Sequence, residues 1–210
     1  MNLIKGAWQL LINVDFAVNA LLQAYGFWIY LILFLIIFIE TGVVVFPFLP
    51  GDSLLFVSGT FAAAGTLNVY LLFIILSFAA ILGDSINYAI GRYLGPKVFY
   101  KEHGKFLKKE YLHKTQEFYE KHGGKTIIIA RFMPFIRTFA PFVAGIGRMQ
   151  YSKFLAYNIV GAILWVCLFV SAGYFFGNIP FVKNNLTAVV LVIIFLSLLP
   201  GIIEYLKRKL

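Results

Sequence analysis

Long apolar runs separated by short polar breaks fill most of this 210-residue chain. Between Asn2 and Tyr25 the run is broken by Lys5, Asn13, Asp15 and Asn19, while Leu3, Ala7, Leu10, Leu11, Val14 and Val18 recur at helical spacing. That pattern predicts an amphipathic helix lying in a membrane interface. A signal peptide fits less well, because Asp15 interrupts the apolar core and no clean small-residue cleavage site follows. Phe27–Ile39 is solidly apolar and gives way to Glu40; apolar sequence resumes to Phe46, and Pro47 and Pro50 bracket a break that ends in Gly51-Asp52-Ser53. The next run, Leu54–Ala64, falls well short of the roughly 20 residues a spanning helix needs. Asn68 then introduces Val69–Ile90, which is long enough to cross.

From Arg92 to Lys125 the chain turns polar, with Leu107, Tyr111, Thr115 and Phe118 on a narrow apolar stripe and Glu110/Lys114 and Glu117/Lys121 paired four apart, as on a surface helix. The second half repeats the scheme of the first. Thr126–Ala130 is apolar, Arg131 to Arg137 with Pro134 interrupts it, and Thr138–Gly147 is again too short to cross. Phe154–Phe176 is a full span, a polar turn covers 178–187, and a last apolar stretch, 188–206, runs into Lys207-Arg208-Lys209. Asp52-Ser53 can be laid on Arg137-Thr138. Gly59 then falls on Gly145 with one insertion, and Gly91/Gly95 fall on Gly173/Gly177. The chain therefore reads as one membrane domain, 1–210: an interfacial helix (1–25), a first repeat (26–95), a basic segment (96–125), a second repeat (126–177) and a last span (188–206).

Composition agrees: 61% of the residues are hydrophobic and 13% charged, against about 25% charged in an ordinary soluble domain. A soluble enzyme domain, a disordered tail and a disulfide scaffold are excluded; there is one cysteine, Cys167, in an apolar run. The net charge of +9 does not indicate nucleic-acid binding, because no Lys or Arg occurs between Lys5 and Arg92 and half of the 18 basic residues then fall from Arg92 to Lys125. That distribution marks a cytoplasmic loop. With the basic loop and the C-terminus inside, Val69–Ile90 runs inward and Phe154–Phe176 outward, so the two short segments enter from opposite faces. The expected fold is an all-α polytopic membrane protein with an inverted repeat, two facing re-entrant hairpins, and both termini cytoplasmic. Inverted repeats with broken helices near the midplane are a transporter pattern.

The candidate chemistry lies in the ionisable residues within or beside apolar sequence: Glu40, Asp52, Asp84, Arg92, Arg131 and Arg137. Each costs about 2.5–3.5 kcal/mol near a bilayer centre, so they must pair, sit in a wet cavity, or be protonated. Hairpins meeting tip to tip would bring Asp52 to Arg137, and Glu40 with Arg131 could form a second pair. Salt bridges that only hold the fold are the plain alternative, though a buried pair is often no more stabilising than apolar packing. Ser53 and Thr138 are candidate N-caps of two half-helices, with Pro141 in the first turn of the second. With Arg131 and Arg137 beside them, such helix ends suit a phosphate. Asp84 and Arg92, eight apart on one helix, are supporting candidates. The glycine pairs allow close helix packing. His103, His113 and His122 share no helical face, so no metal site or cofactor is expected.

Taken together, these stretches resemble the DedA family of bacterial membrane proteins, related to eukaryotic VTT-domain (SNARE-associated) lipid scramblases. The resemblance rests on Glu40 with Pro47-Phe-Leu-Pro50-Gly-Asp52-Ser, on Gly83-Asp84-Ser-Ile-Asn-Tyr88-Ala-Ile-Gly91-Arg92-Tyr-Leu-Gly95, on Arg131-Phe-Met-Pro134-Phe-Ile-Arg137-Thr-Phe-Ala-Pro141-Phe-Val-Ala-Gly145, and on Tyr157 to Trp165. It implies facing re-entrant hairpins in the bacterial inner membrane and movement of lipids across it. The family includes undecaprenyl phosphate transporters and members linked to phosphatidylethanolamine, with dependence on the proton-motive force. Its essential acidic and basic positions fall here on Glu40, Asp52, Arg131 and Arg137.

The resulting expectation is a non-enzymatic, proton-coupled flippase for a phosphate-headed lipid such as undecaprenyl phosphate. Arg131 and Arg137, aided by Ser53 and Thr138, hold the phosphate, and Glu40 and Asp52 couple protons. The implied partners are the lipid phosphate, protons and membrane lipids; assembly into a homo-oligomer is left open. The rivals are a proton-coupled antiporter of small solutes or drugs, a phosphatidylethanolamine flippase or scramblase, an intramembrane lipid phosphatase, which lacks a histidine in the apolar region, and a structural factor held by salt bridges.

Overall fold

The computed structural model describes residues 26–43, 51–99 and 124–177, with scattered positions between 179 and 192. The interfacial helix expected at 1–25, the break at Pro47 and Pro50, most of the basic segment with its three histidines and most of the last span lie outside them.

The described residues form six helices and no strand: α1 (Trp28–Gly42), α2 (Gly51–Ala63), α3 (Val69–Phe99), α4 (Lys125–Arg131), α5 (Pro134–Ile146) and α6 (Tyr151–Phe176). Two of them, α3 and α6, are long and apolar enough to cross a bilayer; α2 and α5, with 13 residues each, are not. Local chemistry explains the boundaries. Asn68 caps α3 by accepting hydrogen bonds at Oδ1 from the backbone of Tyr70 (3.0 Å) and Leu71 (3.1 Å). Its own N–H donates to the Tyr30 hydroxyl at 2.7 Å, fastening α3 to α1. Helix α2 ends at Gly65, whose φ of +79° closes a Schellman turn through Thr66 N to Phe61 O and Gly65 N to Ala62 O. Helix α5 ends in the same way at Arg148, a non-glycine residue at φ +52°.

Three boundaries differ from those read in the sequence. Helix α3 continues past Ile90 to Phe99. Gly91 and Gly95 stay helical because each lies against the α5 backbone, at Phe142 and Ile146 respectively. Helix α5 starts at Pro134, so Thr138 is its fifth residue and not its N-cap, and Pro141 lies beyond the first turn. Proline suits a first helical position, where an N–H would have no partner. Arg137 can then be helical because its charge is balanced by acids from other elements. Ser53, likewise, is the third residue of α2.

Packing is closest where glycines replace side chains. A Cβ on Gly59 would overlap the Val170 carbonyl and one on Gly173 the Phe56 carbonyl, so α2 lies backbone to backbone on α6. A Cβ on Gly145 would overlap the Tyr88 carbonyl and one on Gly91 the Phe142 carbonyl, which sets α5 on α3 in the same way. Helix α1 packs on α3, and α4 on α6. One core joins Ile37, Leu55, Leu72, Leu76, Trp165 and Val170; a second gathers Tyr88, Ile127, Ala144 and Phe154. The outward faces are apolar as well: Ile74, Phe78, Ile129, Leu168 and Phe175 are all more than half exposed. Cys167 is half-buried on α6 rather than in the core. An apolar periphery around a polar centre suits lipid as the surrounding solvent.

Candidate functional site: a buried charge cluster

Every ionisable residue singled out in the sequence except Arg92 is buried. Glu40 is 0% exposed, Arg131 4%, Asp84 5%, and Asp52 and Arg137 7% each. Charges this deep persist only where partners surround them.

Arg137, on α5, donates from Nη1 to Asp52 Oδ1 on α2 at 2.5 Å and from Nη2 to Glu40 Oε1 on α1. The expected pairing of Asp52 with Arg137 is present. Arg131, at the end of α4, pairs with Asp84 on α3 (Nη2 to Oδ2, 2.6 Å) and not with Glu40. This corrects the second pair expected from the sequence. The cause is positional: Glu40 is taken up by Arg137, while α4 lies on α6 and turns Arg131 toward α3. Arg131 also donates to Asn158 Oδ1 (2.9 Å), the Asn158 carbonyl (3.1 Å) and the Ala80 carbonyl (3.3 Å). Asn158 donates in turn to the Ile81 carbonyl at 3.0 Å.

Trp165 on α6 links the two ion pairs. Its Nε1 donates to Asp52 Oδ1 at 2.8 Å, and its ring lies 5.0 Å from the Arg137 guanidinium carbon and 5.7 Å from that of Arg131. Both cations therefore face one indole, within cation–π range. Asn87 on α3 donates to the carbonyls of Thr138 (2.7 Å) and Thr41 (3.2 Å), the residues following Arg137 and Glu40. Pro141 has no N–H to give the Arg137 carbonyl one turn back, and Asn87 takes the next carbonyl, that of Thr138.

A VTT domain matches residues 49–175, more than half of the chain. The chain belongs to the VTT-domain (DedA) family. It is 54% identical over 211 residues to Protein DedA of Escherichia coli K12, covering 100% of this chain and 96% of that one. An uncharacterized membrane protein of Mycobacterium leprae is 50% identical over 168 residues (80% of this chain, 75% of the other). Inner membrane protein YqjA of E. coli K12 is 34% identical over 152 residues (72% and 69%). No solved structure matches the chain. This DedA-family chain is therefore a membrane protein, as its composition and lipid-like periphery require.

Within the DedA-family chain, five of the eight sequence candidates, Glu40, Asp52, Asp84, Arg131 and Arg137, form one connected cluster. Ser53 and Thr138 are buried in helices that carry it. Arg92 lies apart: it is exposed, with Nη1 3.4 Å from the Tyr88 hydroxyl. Sequence reasoning gave no role to Trp165, Asn158 or Asn87. The two asparagines did carry a signal, since an amide fully buried on an apolar span requires a partner. The indole carried none, as tryptophan is ordinary in membrane helices.

The arrangement gathers groups whose chemistry suits anions and protons. Two guanidiniums present planar forks suited to phosphate oxygens. Three carboxylates against two guanidiniums leave one formal negative charge, which a single proton balances. Glu40 Oε2 and Arg137 Nε have no hydrogen-bond partner among the described residues.

Proposed function

We propose that the chain carries a phosphate-headed lipid, undecaprenyl phosphate in the form the family resemblance suggests, across the bacterial cytoplasmic membrane with coupling to protons. The observation that carries this reading is the pair of buried arginines on α4 and α5, each held by carboxylates from other helices and both facing Trp165. In the empty state Glu40, Asp52 and Asp84 neutralise Arg131 and Arg137. An arriving phosphate takes over the guanidinium forks and displaces a carboxylate. That acid, now without its cation in a low-dielectric site, takes up a proton, because burial disfavours the charged form. Phosphate and proton load together. Ser53 and Thr138 line the helices that bear the cluster.

The same reading treats the chain as an inverted repeat with two facing re-entrant hairpins, α1–α2 and α4–α5, in a multi-pass topology with both termini in the cytoplasm. Exchange symmetry of the packing supports it. Gly59 on α2 meets Val170 on α6, and its counterpart Gly145 on α5 meets Tyr88 on α3; Gly173 meets Phe56 as Gly91 meets Phe142. This glycine register sets Gly51, not Asp52, opposite Arg137, one residue from the alignment made on charges alone.

A second reading draws on the excess of carboxylates: three acids and two arginines also suit a proton-coupled antiporter of cationic solutes. Proteoliposomes containing a fluorescent undecaprenyl phosphate analogue separate the two. The lipid reading expects leaflet exchange that responds to an imposed pH gradient and falls at least tenfold in Arg137→Ala and Glu40→Gln. Unchanged exchange in both variants refutes it. Efflux of a soluble cation with no lipid movement favours the antiporter.

A further inference from the structure

Beside the buried cluster lies a second feature with chemistry of its own. A cavity of about 530 Å³ opens on the surface of α3 and the start of α6, lined by Ser85, Tyr88, Ala89, Arg92, Tyr93 and Tyr151. No acid lines it. Arg92 is exposed and has no carboxylate partner among the described residues, in contrast to Arg131 and Arg137. Its Nη1 leans on the Tyr88 hydroxyl at 3.4 Å, and that hydroxyl donates to the Met149 carbonyl, which fixes its position. Tyr88 packs against the rings of Tyr151 (5.5 Å) and Phe154 (4.5 Å), which also touch each other. A guanidinium whose one hydrogen-bond contact among the described residues is the Tyr88 hydroxyl thus stands on an aromatic wall.

Depth identifies the kind of ligand. At a rise of about 1.5 Å per residue, Arg92 lies about 35 Å along α3 from Val69 and Asp84 about 22 Å. With Val69 at one edge of a hydrocarbon core about 30 Å thick and α3 close to the membrane normal, Arg92 falls in the opposite head-group layer and Asp84 within the hydrocarbon. Ile86 and Ile90, exposed on the adjoining face of α3, give an apolar flank for tails. The groove runs from Arg92 back to Ser85, the neighbour of Asp84, a distance of about 10 Å along the helix.

We propose that this groove is a waiting site for the phosphate of a membrane lipid: Arg92 grips the head group at its natural depth, and Ser85 marks the end from which it passes to Arg131. This rests on the phosphate-lipid reading above and adds a place where the substrate is selected before it reaches the buried cluster.

The test uses the full chain in phosphatidylcholine proteoliposomes with a photoreactive farnesyl phosphate. The site predicts crosslinks on the peptides bearing Tyr93 and Tyr151 that disappear in Arg92→Ala and partly return in Arg92→Lys, which keeps the charge but loses the fork. In transport, loss of one charge-assisted contact raises the half-saturating lipid concentration about tenfold, with a smaller effect on the saturated rate. Arg137→Ala instead abolishes transport and keeps the crosslinks. Crosslinks and half-saturation unchanged in Arg92→Ala overturn the waiting site while leaving the transport reading intact. Full competition by millimolar inorganic phosphate also overturns it, because the ligand is then a soluble anion. Wild-type protein that neither crosslinks nor moves the lipid refutes both readings; crosslinking without movement refutes only the transport reading.

Discussion

Removing one partner of a buried ion pair and removing both have opposite consequences, and the Arg131–Asp84 pair offers a clean case. Asp84→Leu keeps the branched shape of the side chain but leaves the Arg131 guanidinium with neutral acceptors only: Asn158 Oδ1 at 2.9 Å, the Asn158 carbonyl at 3.1 Å and the Ala80 carbonyl at 3.3 Å. Stranding a buried charge costs about 3–5 kcal/mol. Because three dipoles remain, the lower end applies, about 3 kcal/mol. For a chain of this size that lowers the midpoint of thermal unfolding by about 6–12 °C. The double variant Asp84→Leu/Arg131→Met removes the stranded charge and is expected to return to within about 1 kcal/mol of the parent, or above it. Thermal unfolding of detergent-purified protein, followed by helical circular dichroism, reads both variants. A cost below about 1 kcal/mol for the single change, or a double variant no more stable than the single one, would show that the pair is wet and the burial argument wrong. The same double variant, folded yet without lipid exchange, would separate the function of the pair from its contribution to the fold.

Two further outcomes follow from the backbone. Alanine at Gly59 or Gly145 drives a methyl group into the carbonyl of Val170 or Tyr88, so each is expected to cost about 1–3 kcal/mol in unfolding measurements, whereas alanine at Gly65, with open space around it, costs only its φ of +79°. Arg148→Gly relieves a left-handed residue at the end of α5 and should stabilise the chain by about 1 kcal/mol, raising the unfolding midpoint by roughly 2–4 °C.

Much of this was legible in the chain. Run lengths separated α3 and α6 from the shorter α2 and α5, and the cost of charge in oil required Asp52 and Arg137 to find partners. Which partners was legible only for that one pair. Whether Arg131 reaches Glu40 or Asp84 depends on how α4 is rotated on α6, and no periodicity in a seven-residue helix reports that. The start of α5 was misplaced for a related reason: Arg137 looks like a break until the acids that neutralise it are known. Trp165 could not be read at all, since its importance lies in what converges on it and not in its type.

The glycine contacts have a mechanical consequence. They weld α2 to α6 and α5 to α3, and with α4 resting on α6 and α1 on α3 the described helices sort into two blocks, each mixing both halves of the chain, that meet along α3 and α6. Arg137–Asp52 and Arg131–Asp84 are both stitches across the line between those blocks. Sliding one block past the other would leave the welds intact but would have to slip α3 along α6 and undo both stitches at the same moment, each of which ties an acid of the first half to an arginine of the second.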